Sequence, residues 1–134
     1  MPLVRIDVNQ GRSAEQRRQI SNAIHQAILA EYRIPERDLF HVLTQHGDGE
    51  IVAQDAGLGF ERTDEVVMIQ IFTQRGRSQE AKSALFSRIA ASLEEVGVEG
   101  ANVFIGYVEN GPGDWSFGFG RSQYMNGELS VPSQ

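Results

Sequence analysis

The sequence of 134 residues contains no cysteine. This absence excludes thiol catalysis, thiolate metal ligands and disulfide bonds. Lysine is nearly absent as well, and arginine supplies almost all of the 12 basic residues. The formal net charge is −6, and no cluster of basic residues forms a stripe that could bind phosphates. We therefore expect no nucleic-acid partner.

Long hydrophobic runs are also missing. The apolar stretches are too short to span a bilayer, and the first residues, MPLVRIDVNQ, lack the apolar core of a signal peptide. We expect a cytoplasmic protein with no membrane partner. The length is typical of a single domain, residues 1–134, that needs no disulfide or metal to hold its core.

Sequence motifs for cofactors and activated nucleophiles are absent too. There is no Gly-x-Ser-x-Gly elbow, P-loop or dinucleotide fingerprint. The histidines, His25, His41 and His46, lack a carboxylate spacing that would complete a metal site. We interpret them as surface or packing residues rather than as ligands of a metal.

One short segment occurs twice. GRSAEQ at 11–16 returns as GRSQEA at 76–81, which is 65 positions later. Each copy follows an apolar, strand-like stretch and opens a helix whose apolar residues recur at i+4. The stretches before the copies are PLVRIDV at 2–8 and EVVMIQIFT at 65–73. Those after the helices are LFHVLTQH at 39–46 and ANVFIGYVE at 101–109.

Each half therefore has the order strand, helix, strand, for which a parallel β-α-β unit is the default geometry. We predict an α/β fold in which units of about 2–63 and 64–130 form a four-stranded sheet with two helices on one face. Ser13 and Gln16 have the spacing of a helix capping box. The uncovered face of the sheet predicts a closed symmetric oligomer.

Pro2 is the first candidate for a chemical role. Removal of the initiator methionine would leave a secondary amine at the start of a strand. Such an amine can act as a rigid acid or base, or condense with an aldehyde to form an iminium ion. The alternative is a proline that merely begins an edge strand, where a missing N–H does no harm.

Three charged residues could work with that amine. Arg75 and Arg77 flank Gly76 just before a helix, where two guanidinium groups could bind a carboxylate. Asp38 precedes the second strand, and a carboxylate near Pro2 would raise the pKa of the amine. The alternatives are a solvated arginine pair and a surface acid at a turn.

The stretch NGPGDWSFGFGRSQYMNGELS, residues 110–130, is rich in glycine and aromatic residues. It is interpreted either as a loop and hairpin that packs on its own aromatic residues or as an apolar wall over a ligand pocket.

Taken together, these stretches resemble the tautomerase superfamily. MPLVRIDV, RGRS, TQHGDGEIVAQDAGLGF and VENGPGDWSFGFGRSQY are similar to segments of its malonate semialdehyde decarboxylases, and the likeness extends over nearly the whole chain. One departure is Gly76, where reference members carry proline between the two arginines.

The resemblance implies a homotrimer that works without a metal or organic cofactor. It implies that Pro2 is the catalytic amine, that Asp38 works with it, and that Arg75 and Arg77 bind the substrate. The residues implied to form an apolar wall around the substrate are Trp115, Phe117, Tyr124 and Leu129.

The expected reaction is decarboxylation of malonate semialdehyde (3-oxopropanoate), a small oxo acid, to acetaldehyde and CO2. An alternative is a tautomerase or hydratase that acts on another small oxo acid. An alternative of another class is a non-catalytic trimeric binding protein that keeps Met1 and has no free Pro2 amine.

Overall fold

A computed structural model describes residues 1–131 of the chain. In chain order the elements are β1 (Pro2–Asn9), α1 (Ala14–Glu31), β2 (Phe40–His46), β3 (Val67–Gln74), α2 (Gln79–Glu95), β4 (Val103–Asn110) and the short helix α3 (Gln123–Asn126). The α/β class and the predicted order of strands and helices are confirmed, with strand ends displaced by only a residue or two.

The four strands form one sheet in the order β2-β1-β3-β4. β1 is parallel to β2, β3 is parallel to β4, and the central pair β1 and β3 is antiparallel. Arg5 lies opposite Gln70 in the middle of the central pair. An approximate two-fold axis through this point therefore relates the two β-α-β units.

Both helices cover the same face of the sheet, as predicted. Alternate residues of the central strands point towards the helices, because side chains along a strand alternate between the two faces. The buried core contains Val4, Ile6, Val8, Ile69 and Ile71 from the strands and Ile24, Ile28, Leu85, Ile89 and Leu93 from the helices.

The repeated segment has the same backbone conformation in both units. Gly11 and Gly76 each have φ of +125°, a region that favours glycine. The two helix caps, Ser13 and Ser78, share φ of −69° and ψ of 163°. Gln16 completes the predicted capping box at the first helix. One strand-to-helix turn is therefore used at both ends of the sheet.

The face of the sheet opposite the helices is open in the single chain. Several large apolar side chains on it are between 40% and 46% exposed: Phe40, Val42, Phe104 and Val108. Asp7 and His46 also lie on this face, with 2.6 Å between Oδ1 and Nε2. The open face thus combines these apolar side chains with polar ones, among them Arg5, Gln70 and the Asp7–His46 pair.

Residues 111–131 contain a 3-10 turn, Pro112–Asp114, and helix α3, and they contain no strand. The hairpin interpretation of this stretch is therefore wrong. The amide of Phe117 donates to the side chain of Gln123 and the side chain of Gln123 donates to the carbonyl of Gly118. These side-chain bonds satisfy backbone groups that a hairpin would have paired across strands.

Among the helices of residues 1–131, none is long and apolar enough to cross a membrane.

His41 gives the fold a dependence on pH. It lies on β2 with its side chain towards α1, and its Nδ1 is 2.8 Å from the Oγ of Ser21. Burial, with a smaller contribution from the neighbouring His25, lowers the pKa of His41 from 6.5 to about 4. The folded protein therefore holds His41 neutral at pH values where the unfolded chain protonates it.

We predict that this difference contributes stability that is complete above pH 6.5 and is lost as the pH falls towards 4. The free energy of unfolding should fall by roughly 2 kcal/mol more between pH 7 and pH 4 in the native sequence than in His41→Gln. Urea unfolding of both proteins at the two pH values measures this. Equal pH dependence in the two proteins would contradict the assignment to His41.

Candidate active site

Asp38 lies against the amino terminus. Because Leu3 pairs with Phe40 in the parallel strands β1 and β2, residue 38 is at the level of Met1. The turn that carries Asp38 is closed by its amide, which donates to the carbonyl of Pro35 at 3.0 Å. The carboxylate of Asp38 contacts the Met1 ammonium, and the Met1 side chain is buried.

Two opposing effects act on the amine of this terminus. The contact with Asp38 favours the charged ammonium, as expected from the sequence. Burial, followed by repulsion from Arg77, nevertheless lowers the pKa of the Met1 amine from 8.0 to about 5. On balance the pKa of the Met1 amine is therefore lowered, since desolvation penalises the charged form. The expected increase concerns the Pro2 amine, which is an amide nitrogen while Met1 is in place.

Arg77 lies on the side of the amine towards β3. Its Nη1 is 3.2 Å from the Oγ1 of Thr73, and this hydroxyl donates to the Met1 carbonyl at 2.8 Å. The guanidinium stacks over the ring of Tyr32 at 4.1 Å from the centroid. Arg77 is only 8% exposed, so its charge acts in a poorly solvated environment beside the terminus.

Arg75 is oriented differently from Arg77. It is exposed, its amide donates to the carbonyl of Asn110 at 2.6 Å, and its guanidinium lies against the backbone of Gly111. These contacts are on the β4 side of β3, whereas the amino terminus is on the β1 side. The two arginines therefore extend to different sides of the loop after β3.

A pocket of about 360 Å³ opens beside Asp38. Three members of the predicted aromatic and aliphatic wall, Phe117, Tyr124 and Leu129, line it, together with Phe40. The ring centroid of Phe117 is 5.2 Å from that of Tyr124 and 5.6 Å from that of Phe40. The lining next to the carboxylate is therefore largely apolar.

Trp115 supports this wall from behind. Its ring stacks on Phe117 at 6.4 Å between centroids, and its Nε1 donates to the Oδ1 of Asn110 at 2.8 Å. The hydrogen bond to Asn110 holds the indole ring in place, and the ring stacked on Phe117 in turn fixes the position of Phe117.

Tyr124 combines a buried ring with an unpaired hydroxyl. The residue is 7% exposed, and within residues 1–131 its hydroxyl has no hydrogen-bond partner. Burial raises the pKa of Tyr124, while the nearby Arg77 acts in the opposite direction. The hydroxyl therefore remains protonated at neutral pH and can donate to a ligand in the pocket.

Sequence reasoning missed Thr73 and Phe40. Thr73 is fully buried and lies opposite Pro2 in the antiparallel pair, and Phe40 follows Asp38 into the pocket. The alternation of β3 puts Thr73 on the same face as Ile69 and Ile71, which was a usable signal. Its closeness to the amine depends on the pairing of β1 with β3, which the sequence does not reveal.

The histidines do not gather into a metal site. Within residues 1–131, no group of three or more histidine, aspartate and glutamate side chains could hold a metal ion. His25 is buried, and His46 pairs with Asp7 on the open face.

Comparison with known proteins identifies the family. Two family models, both described as tautomerase enzyme, match residues 38–118 and residues 2–61. The chain belongs to the tautomerase family. Its curated relatives from Bacillus subtilis (strain 168) include the probable tautomerase YusQ, 39% identical over 93% of this chain and 99% of the relative. YrdN, also named a probable tautomerase, is 31% identical over 96% of this chain and 100% of the relative.

Solved structures with the same fold are also similar to this chain. The FG41 malonate semialdehyde decarboxylase inhibited by 3-bromopropiolate is 52% identical, with a TM-score of 0.95 over 97% of this chain and 99% of that chain. A second malonate semialdehyde decarboxylase, described with decarboxylase and hydratase activities, is 33% identical, with a TM-score of 0.91 over 95% and 98%. A fused 4-OT described as a symmetric trimer shares the fold at 18% identity and a TM-score of 0.76, over 93% and 98%.

Tyr124 offers a test of the pocket that does not depend on activity. In Tyr124→Phe the ring remains and the unpaired hydroxyl is removed, so the free energy of unfolding should rise by about 1 kcal/mol. Urea unfolding measures the change. A loss of more than about 1 kcal/mol would show that the hydroxyl has a partner and is not free for a ligand.

Proposed function

We propose that the protein catalyses cofactor-independent decarboxylation of malonate semialdehyde to acetaldehyde and CO2, after removal of Met1 has freed the amine of Pro2. One observation carries the proposal: the Asp38 carboxylate lies at the amino terminus, on the edge of an apolar pocket. The 52% identity to a malonate semialdehyde decarboxylase supports it.

Decarboxylation of a 3-oxo acid needs a group that accepts the electrons of the breaking C–C bond. If Pro2 is charged, its ammonium donates a hydrogen bond to the aldehyde oxygen and stabilises the developing enolate. If Pro2 is neutral, it condenses with the aldehyde with loss of water, and the iminium nitrogen accepts the electron pair. Asp38 favours the first route, and burial of the terminus favours the second.

Protonation of the enolate or enamine carbon then completes acetaldehyde, and in the second route water hydrolyses the iminium ion. Borohydride added during turnover separates the two routes, because only an iminium ion is reduced to a stable adduct on Pro2.

Arg77 and two hydroxyl groups supply the donors for the substrate carboxylate in this proposal. Loss of Met1 also removes the carbonyl that accepts the hydrogen bond of Thr73, so this hydroxyl becomes available. Tyr124 adds its unpaired hydroxyl. The apolar wall around Phe117 destabilises the bound carboxylate anion relative to neutral CO2, which favours release.

A second candidate function is enol–keto tautomerisation of a small oxo acid, with Pro2 as a general base. Burial and Arg77 lower the pKa of the Met1 amine to about 5, and the same surroundings would favour a neutral Pro2 amine, as a base requires, once Met1 is removed. The curated relatives named as probable tautomerases support the same candidate.

We also propose that three copies assemble through the open face of the sheet. Its exposed apolar side chains form a surface that a soluble monomer rarely leaves uncovered: Phe40, Val42, Phe104 and Val108. The related fused 4-OT is described as a symmetric trimer.

Removal of Met1 should decide whether the amine is catalytic. We expect protein with a free Pro2 to form acetaldehyde from malonate semialdehyde, and protein that retains Met1 to be at least about 100-fold slower, because an amide nitrogen is neither base nor nucleophile. Intact mass identifies each preparation, and a coupled alcohol dehydrogenase assay measures acetaldehyde. Pro2→Ala and Asp38→Asn are further variants, which change the amine and the carboxylate beside the amino terminus.

Two results would contradict the proposal. Equal rates with and without Met1 would exclude the amine as a catalytic group. If the protein with a free Pro2 does not turn over malonate semialdehyde, the decarboxylase assignment is wrong. Enol–keto conversion and hydration of other short oxo acids are then the reactions to measure.

Variants of Arg75 and Arg77 test which arginine binds the substrate carboxylate. If both bind the substrate, as the resemblance implies, Arg75→Gln and Arg77→Gln should each raise KM by about tenfold, the loss expected for one charge-assisted hydrogen bond. The contacts of Arg77 beside the terminus lead us to expect the larger effect there. If KM increased for Arg75→Gln and not for Arg77→Gln, Arg75 rather than Arg77 would be the arginine that binds the carboxylate.

A further inference from the structure

The turn that presents Asp38 is short and mostly exposed. It leaves the end of α1 and reaches β2 through Pro35, Glu36 and Arg37, whose side chains are exposed. The bond from the amide of Asp38 to the carbonyl of Pro35 closes the turn on itself but does not attach it to the rest of the fold. Another contact must fix the turn if the carboxylate is to hold one position.

His25 provides such a contact from inside the molecule. It lies on α1, is only 5% exposed, and its Nε2 is 2.9 Å from the carbonyl oxygen of Glu36. Because a carbonyl oxygen can only accept, Nε2 carries the proton and donates. This hydrogen bond thus attaches the turn to the helix two residues before Asp38.

His25 is itself held in one orientation. Its ring meets the ring of His41 edge to face, with 5.9 Å between centroids and an angle of 88° between the planes. His41 is in turn bound to Ser21 on the same helix. The contact with His41 therefore helps to hold the donor nitrogen of His25 towards Glu36.

We infer that His25 is a positioning residue that holds the Pro35–Asp38 turn so that the Asp38 carboxylate meets the terminal amine. His25 acts through the backbone of Glu36 and does not touch the substrate. The inference rests on the proposed function for its kinetic consequence, because it assumes that Asp38 works with the amine of Pro2. Its geometric part, the effect of His25 on the Asp38–amine contact, is independent of the reaction.

The test compares His25→Phe, which keeps a ring against His41 but removes the donor, with His25→Gln, which restores an N–H donor on a shorter side chain. We expect His25→Phe to lower kcat by about tenfold and to leave KM within about twofold, because the Asp38 carboxylate is displaced by up to about an ångström. His25→Gln should recover most of the loss. Should His25→Phe fail to fold, as judged by circular dichroism, His25→Leu replaces it as the variant without a donor.

A second readout does not depend on turnover. In ¹⁵N-proline-labelled protein with Met1 removed, Pro2 is the one secondary amine among four prolines, so its signal can be titrated by NMR. Asp38→Asn should lower the pKa of this amine, because it removes the carboxylate that stabilises the ammonium. His25→Phe should lower it in the same direction, and His25→Gln should leave it close to that of the native sequence.

The outcomes separate the inference from the proposed function. If the amine pKa changes as expected while the native protein does not decarboxylate malonate semialdehyde, the positioning role stands and the proposed function fails. If His25→Phe leaves the pKa of the Pro2 amine at its native value, the inference is overturned, whatever the rates. The result is clearest when Asp38→Asn does change this pKa. A fall in kcat with an unchanged amine pKa would also overturn it, because the effect would not pass through Asp38.

Discussion

The central position of β1 in the sheet determines where the site can form. β1 hydrogen-bonds to β2 on one side and to β3 on the other, so the first residues of the chain lie between two strands. The parallel neighbour brings Asp38 to the amino terminus, and the antiparallel neighbour brings Thr73. A terminus on an edge strand would have only one such neighbour and would stay hydrated. Here it is buried, and its amine has a pKa lowered to about 5.

Much of this architecture could be predicted from local patterns. The alternation in PLVRIDV reports which residues of β1 face the helices, since the sheet has helices on only one side. The serines after Gly11 and Gly76 mark the helix starts because a hydroxyl there can accept from a free backbone N–H. These signals depend on residues only a few positions apart, so they can be interpreted without knowledge of the tertiary structure.

The site itself depends on contacts between distant segments, which local patterns do not encode. Asp38 and Pro2 were paired through a family resemblance, and the structure supplies the reason in the parallel register of β1 and β2. Arg75 and Arg77 look equivalent in sequence, yet one lies on Gly111 and the other beside Thr73. The loop around Gly76, with its positive φ, sends the two side chains in different directions. The role inferred for His25 is equally invisible in sequence, since it requires knowing which carbonyl its ring meets.

The approximate two-fold axis between Arg5 and Gln70 has a consequence for stoichiometry. A shift of 65 positions relates Pro2 to Val67, so the second unit starts its strand with an ordinary peptide nitrogen in the middle of the chain. At that opposite end, Asn9 and Arg12 bind the carbonyls of Asp64 and Glu65 and so secure the connection between the units. Two separate chains joined in the same way would offer two amino termini per pair of units. One continuous chain offers a single amino terminus. Of the two symmetry-related strand starts, one therefore carries the terminal amine, and the other serves the connection between the units.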